Sequence, residues 1–248
     1  KIDKIYVKGL TAGITYSLEV VDEFRNSKTR VDQRYFTTLD TQKNSVRFAY
    51  ASCMSDDYRF NEVIDPMWEQ MRIQNPEMIV LNGDLVYVDS FEFVERKKAT
   101  ELDIWFRFID AFNRLPIYRW HNLKPILATW DDHDFGTNDG DRDFKEKQAA
   151  RKIFLSFFGG KNLKDNYQLE QDSVYFLFAG FKQKMLFLDD RYFRQPNKNQ
   201  QAAEKYAHWG EKQHQWILDN LTDAKTPVWI FNGNQVFSGK DLAFKEAM

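Results

Sequence analysis

Five short apolar runs, each closing on polar or ionisable residues, most constrain this 248-residue chain. They are Val46–Ala51, Met78–Leu81, Ile126–Trp130, Met185–Leu188 and Val228–Phe231. Each has the length of a buried strand. Between them lie amphipathic stretches of helical length, Asn61–Gln74, Glu92–Leu115, Phe144–Phe158 and Glu204–Leu221. Alternation of this kind predicts an α/β domain with a largely parallel or mixed sheet. Residues 160–184 read as an added hairpin, with Ser173–Phe178 as one strand, and no internal repeat is visible.

The first forty residues follow another pattern. Ile5–Val7, Thr15–Val20 and Arg34–Thr37 are short runs rich in β-branched and aromatic residues, which predicts strands. Three strands are too few for an independent sandwich, so they read as the last strands of a β domain. The expected organisation is a β region over 1–39, a polar linker over 40–45 and an α/β domain over 46–248. The chain starts at Lys1 and stops at Met248, soon after a core-strand candidate, so the natural protein is expected to be longer at both ends. With 43% hydrophobic and 16% aromatic residues, disorder is excluded. No apolar run approaches the roughly 18 residues of a membrane helix. A net charge of -2 argues against a protein that coats nucleic acid, though not against an enzyme acting on phosphate esters. One cysteine, Cys53, permits no internal disulfide and says nothing about compartment.

Chemistry concentrates where the apolar runs end. The first leads into Ser52-Cys53, the second into Asn82-Gly83-Asp84-Leu85-Val86-Tyr87 and the third into Asp131-Asp132-His133-Asp134-Phe135-Gly136-Thr137-Asn138-Asp139. The fourth leads into Asp189-Asp190-Arg191-Tyr192 and the fifth into Asn232-Gly233-Asn234-Gln235. Open α/β sheets bind ligands beyond the carboxyl ends of their strands. Carboxylates gathered on one rim raise each other's pKa unless a cation neutralises them. Taken singly, Cys53 reads as a small core residue and Gly83-Asp84 as a turn. Three acids around one histidine within Asp131–Asp134, straight after a buried strand, read as a ligand cluster, and a metal site is the simplest reading of the set.

Gly83-Asp84-x-x-Tyr87, the block Trp130–Asp139 and Ser52-Cys53 together resemble the alkaline phosphatase D-like metallophosphoesterases. Leu188–Arg194 and the Gln-Trp-x-Leu pattern within Gln213–Leu221 fit as well, and the likeness covers nearly the whole chain. It implies a calcineurin-like metallophosphoesterase sandwich, mixed sheets flanked by helices, preceded by the end of a fibronectin-like β-sandwich domain. It implies that Asp84 bridges two metals, that Cys53 and Tyr87 ligate a ferric ion, and that Asp132 ligates a divalent partner such as calcium. Thiolate and phenolate are anionic donors suited to trivalent iron. His133 is then the general acid or transition-state contact, and Asn138 binds metal or a phosphate oxygen. Asp131 and Asp134 support the ligands. Arg191 is a candidate phosphate contact, with a salt bridge to Asp189 or Asp190 as its alternative.

The implied reaction is attack of a metal-held hydroxide on the phosphorus of small phosphate monoesters or diesters. The same likeness implies export, to a periplasm or cell surface. One departure stands out: the family completes its site with a later Gly-Asp-x-His-type segment, and this chain ends before one. His208 and His214 are six apart and share no helix face, and His121 precedes the third run, at the wrong end for the site. Two other readings stay open. A non-catalytic surface or adhesion module predicts no bound iron. A nuclease-like phosphodiesterase, with nucleic acid as substrate only, would want a basic groove.

Overall fold

The strand-length apolar runs fold around one central strand. In the computed structural model, which describes residues 2–24, 27–89, 99–163, 166–196, 204–223 and 225–236, that strand is β4 (Met78–Asn82), wholly buried. It pairs in parallel with β3 (Phe48–Ala51) and β6 (Ile126–Thr129), in the order β3-β4-β6. Parallel neighbours need crossovers. Helix α1 (Asn61–Gln74) joins β3 to β4, and α2 (Glu101–Arg114) lies between β4 and β6. A capping box starts α2: Asp103 N–H donates to Thr100 Oγ1 at 3.3 Å, and Thr100 N–H donates to Asp103 Oδ2 at 2.8 Å. Asn75, in the left-handed region at φ 46°, ends α1.

A second sheet is mixed, in the order β10-β9-β8-β7: β7 (Tyr167–Leu169), β8 (Phe176–Gly180), β9 (Gln183–Phe187) and β10 (Val228–Phe231). Only β10 and β9 run parallel, and α5 (Gly210–Leu221) makes that crossover. The period-two alternation of strands sorts the side chains into layers. Met78 and Val80 of β4 pack with Phe176, Phe178, Met185, Phe187 and Phe231 of the second sheet. Ile79 and Leu81, on the other face of β4, join Trp68, Ile104 and Phe108 and the helix α4 (Lys147–Phe157) in a second core. Leu177 and Leu186 turn outward to Ile217 of α5. The two sheets thus face each other, with helices on both outer sides. Their seam is aromatic: the Phe187 ring stacks on Phe176 at 4.4 Å and on Phe231 at 4.7 Å between centroids.

The amino-terminal residues form one long hairpin, β1 (Thr15–Phe24) and β2 (Ser27–Thr37), with a bulge at Val20/Val21. Its second strand also pairs in parallel with the two-residue β5 (Asn122–Leu123), which ties it to the α/β body. Arg34 strengthens the junction, donating to the carbonyls of Tyr118 and Trp120, both at 3.3 Å. The third strand expected there is absent, since Ile5–Val7 runs without a ladder partner. Among the described residues the fold is therefore α/β with three sheets and five α-helices. Helices α4 and α5 start later than their apolar periodicity suggests, at Lys147 and Gly210. The early part of the helix expected over Glu92–Leu115 falls on residues 90–98, outside those described. No helix among the described residues is long and apolar enough to cross a membrane.

Candidate metal centre

The parallel strands β3, β4 and β6 all end on the same edge, and their backbone ladder continues past them. Gly83 N–H donates to Thr129 O at 3.0 Å, and Cys53 and Met54 N–H donate to Gly83 O and Asp84 O, each at 3.1 Å. The turns that follow are tight. Gly83 has φ 81°, and a Cβ there would lie 2.7 Å from that of Asp131, so only glycine fits. Cys53 and Asp84 hold φ of 52° and 56°, a region that costs an ordinary residue roughly 1–2 kcal/mol. Such outliers persist where the surroundings over-determine them. Here Asp134, wholly buried, does so: its carboxylate accepts the N–H groups of Asp84 and Val86 at 2.7 Å, Leu85 at 2.9 Å and Asp131 at 3.1 Å. Asp134 sits in the one-turn helix α3 (Asp132–Phe135) directly after β6.

This wiring gathers the acids. Ligand atoms of Asp84, Asp132 and His133 all lie within 4.8 Å of one another. Cys53 Sγ is 3.5 Å from Asp84 Oδ2, and the Tyr87 ring stacks on His133 with centroids 4.2 Å apart. Asp132 is held by backbone, accepting His133 N–H at 2.9 Å and Asp139 N–H at 2.6 Å, which leaves each oxygen a further lone pair. His133 Nδ1 is 2.6 Å from Asp89 Oδ1, and the other oxygen of Asp89 accepts Asn138 N–H at 2.5 Å. The Asn138 side chain itself turns to Asp139, at 2.8 Å.

Electrostatics agree with a cation site. Burial, then the fields of Asp131, Asp134 and Asp132, push the Asp84 carboxyl up to about 8. Burial likewise raises Asp134 to about 7. Desolvation and the Asp84 carboxylate lift the Cys53 thiol to about 11, and the same causes raise the Tyr87 phenol. Burial would lower His133, but the hydrogen bond to Asp89 and the charges of Asp132, Asp89 and Asp84 overcome it and set it at about 9. Asp84 Oδ1 is buried and has no hydrogen-bond partner. An orphaned carboxylate oxygen amid unneutralised acids, a thiol and a phenol is a donor set that a metal ion satisfies.

The second sheet supplies the supports. Arg191 is 2% exposed, and its guanidinium pairs with Asp131, donating from Nε at 2.6 Å, and with Asp190 at 3.7 Å. Arg191 is thus enclosed and neutralises two carboxylates: its nearer partner is Asp131, and Asp190, one of the two acids expected as its salt-bridge alternative, lies further off. Asp189 instead accepts Trp130 Nε1–H at 2.8 Å and Ser173 Oγ–H at 2.8 Å, locking β9 to β6. At the end of β10, Asn234 N–H donates to Asp190 Oδ2 at 2.5 Å, and a Cβ on Gly233 would lie 2.3 Å from Trp130 O. The other three histidines stand apart: His121 packs edge-on against Tyr35, His208 lies beside Arg194 and His214 beside Tyr206. Asp89 escaped the sequence reading. Its only signal is its place two residues after Tyr87, which says nothing of a histidine 44 positions on.

No family model and no curated protein matches this sequence. Among solved structures, the fold is similar to that of PhoD, with a TM-score of 0.59 and 17% sequence identity. The match covers 86% of this chain and 46% of that one, so the chain spans about half the length of the structure it resembles.

Proposed function

We propose that this chain carries the core of a metal-dependent phosphoesterase. The observation that carries the reading is the convergence of Asp84, Asp132 and His133, with Asp84 Oδ1 left buried and unpartnered. The two facing sheets with outer helices support a calcineurin-like metallophosphoesterase sandwich over residues 46–248. The β1–β2 hairpin, before the linker at 40–45, is read as the close of a fibronectin-like domain.

Asp84 would bridge two ions, with Cys53 and Tyr87 completing a ferric site and Asp132 holding a divalent ion, calcium by its hard oxygen donors. Bound there, the metals supply an activated water and neutralise the phosphoryl oxygens of the ester. The remaining work belongs to the protein. Asp89 accepts the Nδ1–H of His133, fixes the ring and leaves the Nε2 proton to pass to the departing oxygen. The hydrogen bond to Asp89 favours the protonated ring. Tyr87 stacks on the same ring and restricts its rotation. Asn138, its backbone fixed by Asp89, is assigned to a phosphate oxygen, whereas Arg191 keeps Asp131 neutralised. Small phosphate monoesters or diesters are the substrates, nucleic acid enters only as a diester, and the setting is exported, periplasmic or at the cell surface.

The test is metal analysis of the purified protein together with rates on a chromogenic phosphate monoester and diester. The reading expects iron plus a divalent metal, visible colour lost in Tyr87→Phe, and rates reduced by about 10²-fold or more in His133→Gln. A colourless, metal-free protein with no rate on either ester would overturn it.

A further inference from the structure

One buried charge lies on the wrong face of its helix for stability alone. Arg107 sits on the core side of α2 among Ile104, Phe108 and Ala111, with no exposed surface. Its partner Asp56, in the loop after β3, is equally enclosed, and the two form an ion pair. Asp110 takes the other guanidinium nitrogen at 2.6 Å. Burying such a pair seldom stabilises a protein, because desolvation offsets the attraction, and apolar residues of similar size often serve as well. The geometry suggests what the pair does instead. Asp56 Oδ1 accepts the N–H of Tyr87 at 3.1 Å, and Arg107 Nε donates to the carbonyl of Tyr87 at 3.3 Å. Both main-chain groups of one residue are thus held by the two members of one ion pair. The next residue continues the register, since Val88 N–H donates to His133 O at 3.2 Å.

We propose that Arg107 and Asp56 are positioning residues that clamp the Tyr87 backbone, so that its phenol meets the metal centre while its ring lies flat on His133. This rests on the metal-centre reading given above and extends it to a pair of residues that touch neither metal nor substrate. A clamp on both sides of the peptide fixes the direction of the Cα–Cβ bond, which a single hydrogen bond would leave free to swing. Supporting partners of this kind typically change metal affinity by about 10- to 100-fold when removed.

The experiment uses the full chain and ferric ion supplied as ferric citrate, read by equilibrium dialysis and by the visible phenolate-to-iron band. Four proteins are compared: wild type, Arg107→Lys, Tyr87→Phe and the double variant. The clamp expects Arg107→Lys to weaken ferric binding about 10-fold or more and to shift the band. In the Tyr87→Phe background the same change should alter affinity by no more than about twofold, because the group it positions is gone. Equal losses in both backgrounds, or none in either, would show that Arg107 acts on the fold at large and overturn the clamp. Should Arg107→Lys not fold, Asp56→Leu with Arg107→Met replaces the pair by apolar residues and is read against Tyr87→Phe in the same way. A wild type that takes no ferric ion, or that binds it unchanged after Tyr87→Phe, overturns the ferric site itself and the clamp with it. That result appears before any Arg107 variant is made, so the two failures are told apart.

Discussion

Single residues here act through what they accept or withhold. Asp134 supplies no ligand atom to the Asp84–Asp132–His133 cluster, yet its four backbone hydrogen bonds hold the strained Asp84 turn. Asp89 sets the protonation of His133 from one side, while Asp132 and Asp84 act through charge. The expected result for Asp89→Asn in metal-free protein is a His133 pKa moved down from about 9 toward the ordinary histidine value near 6.5, followed by NMR titration of the ring. An unmoved value would remove Asp89 from its positioning role. Asp132, by contrast, keeps its charge: burial opposes this, but Arg191, His133 and two backbone donors hold its pKa below the usual carboxylate range. One cluster therefore contains a carboxyl that resists ionisation, Asp84, beside one that favours it, Asp132.

At the level of elements, each strand contributes one face to a core and its end to the site. β4 does both most fully, since its alternate residues serve two cores and its last residues open the Gly83-Asp84 turn. Gly83→Ala combines a positive φ with a methyl group 2.7 Å from Asp131 Cβ. Overpacking of this kind costs about 1–3 kcal/mol, and because Asp131 adjoins Asp132, metal binding should fall with stability. Urea unfolding and metal dialysis on the same sample check both. Phe187→Ala should behave differently. It empties the middle of the inter-sheet stack, so a loss of about 3–5 kcal/mol in urea unfolding is expected, with metal binding preserved in the fraction that remains folded. Loss of metal without loss of stability would contradict this division of labour. Helix α1 was legible from apolar periodicity to its first residue, Asn61, but the starts of α4 and α5 were not. α4 begins three residues after Phe144, whose ring is used instead against Phe135 and Gly136.

For the whole molecule, the acid cluster makes stability depend on pH and on metal together. Asp84 and Asp134 have folded-state pKa values of about 8 and about 7, well above the roughly 3.9 of an unfolded aspartate. The folded state thus holds their protons more tightly. Their contribution to stability is fully present below about pH 4 and is lost as pH rises through 7 to 8. His133, raised to about 9, acts in the same direction between about pH 6.5 and 9. Metal-free protein should therefore lose thermal stability from pH 5 to pH 8, and saturating manganese or calcium should raise Tm more at pH 8 than at pH 5. Calorimetric scans at the two pH values, with chelator and with metal, measure the difference. A metal effect that is the same at both would mean that the carboxylates are neutralised by something other than the ion.

What the sequence determined by itself is local. Strand-length apolar runs, the helical stretches between them and the polar residues at each run's end all follow from side-chain chemistry over a few neighbouring positions. That was enough to bring Cys53, Asp84, Tyr87, Asp132 and His133 to one rim. Tertiary structure alone decided the rest. It pairs Arg191 with Asp131 across 60 positions, His133 with Asp89 across 44, and Arg107 with Asp56 across 51. It also joins the amino-terminal hairpin to β5 and leaves Ile5–Val7 without a ladder. The reason is physical. Whether a charge binds substrate or neutralises a neighbour depends on what lies within about 3 Å of it once water is excluded, and residues far apart in the chain do not announce that proximity.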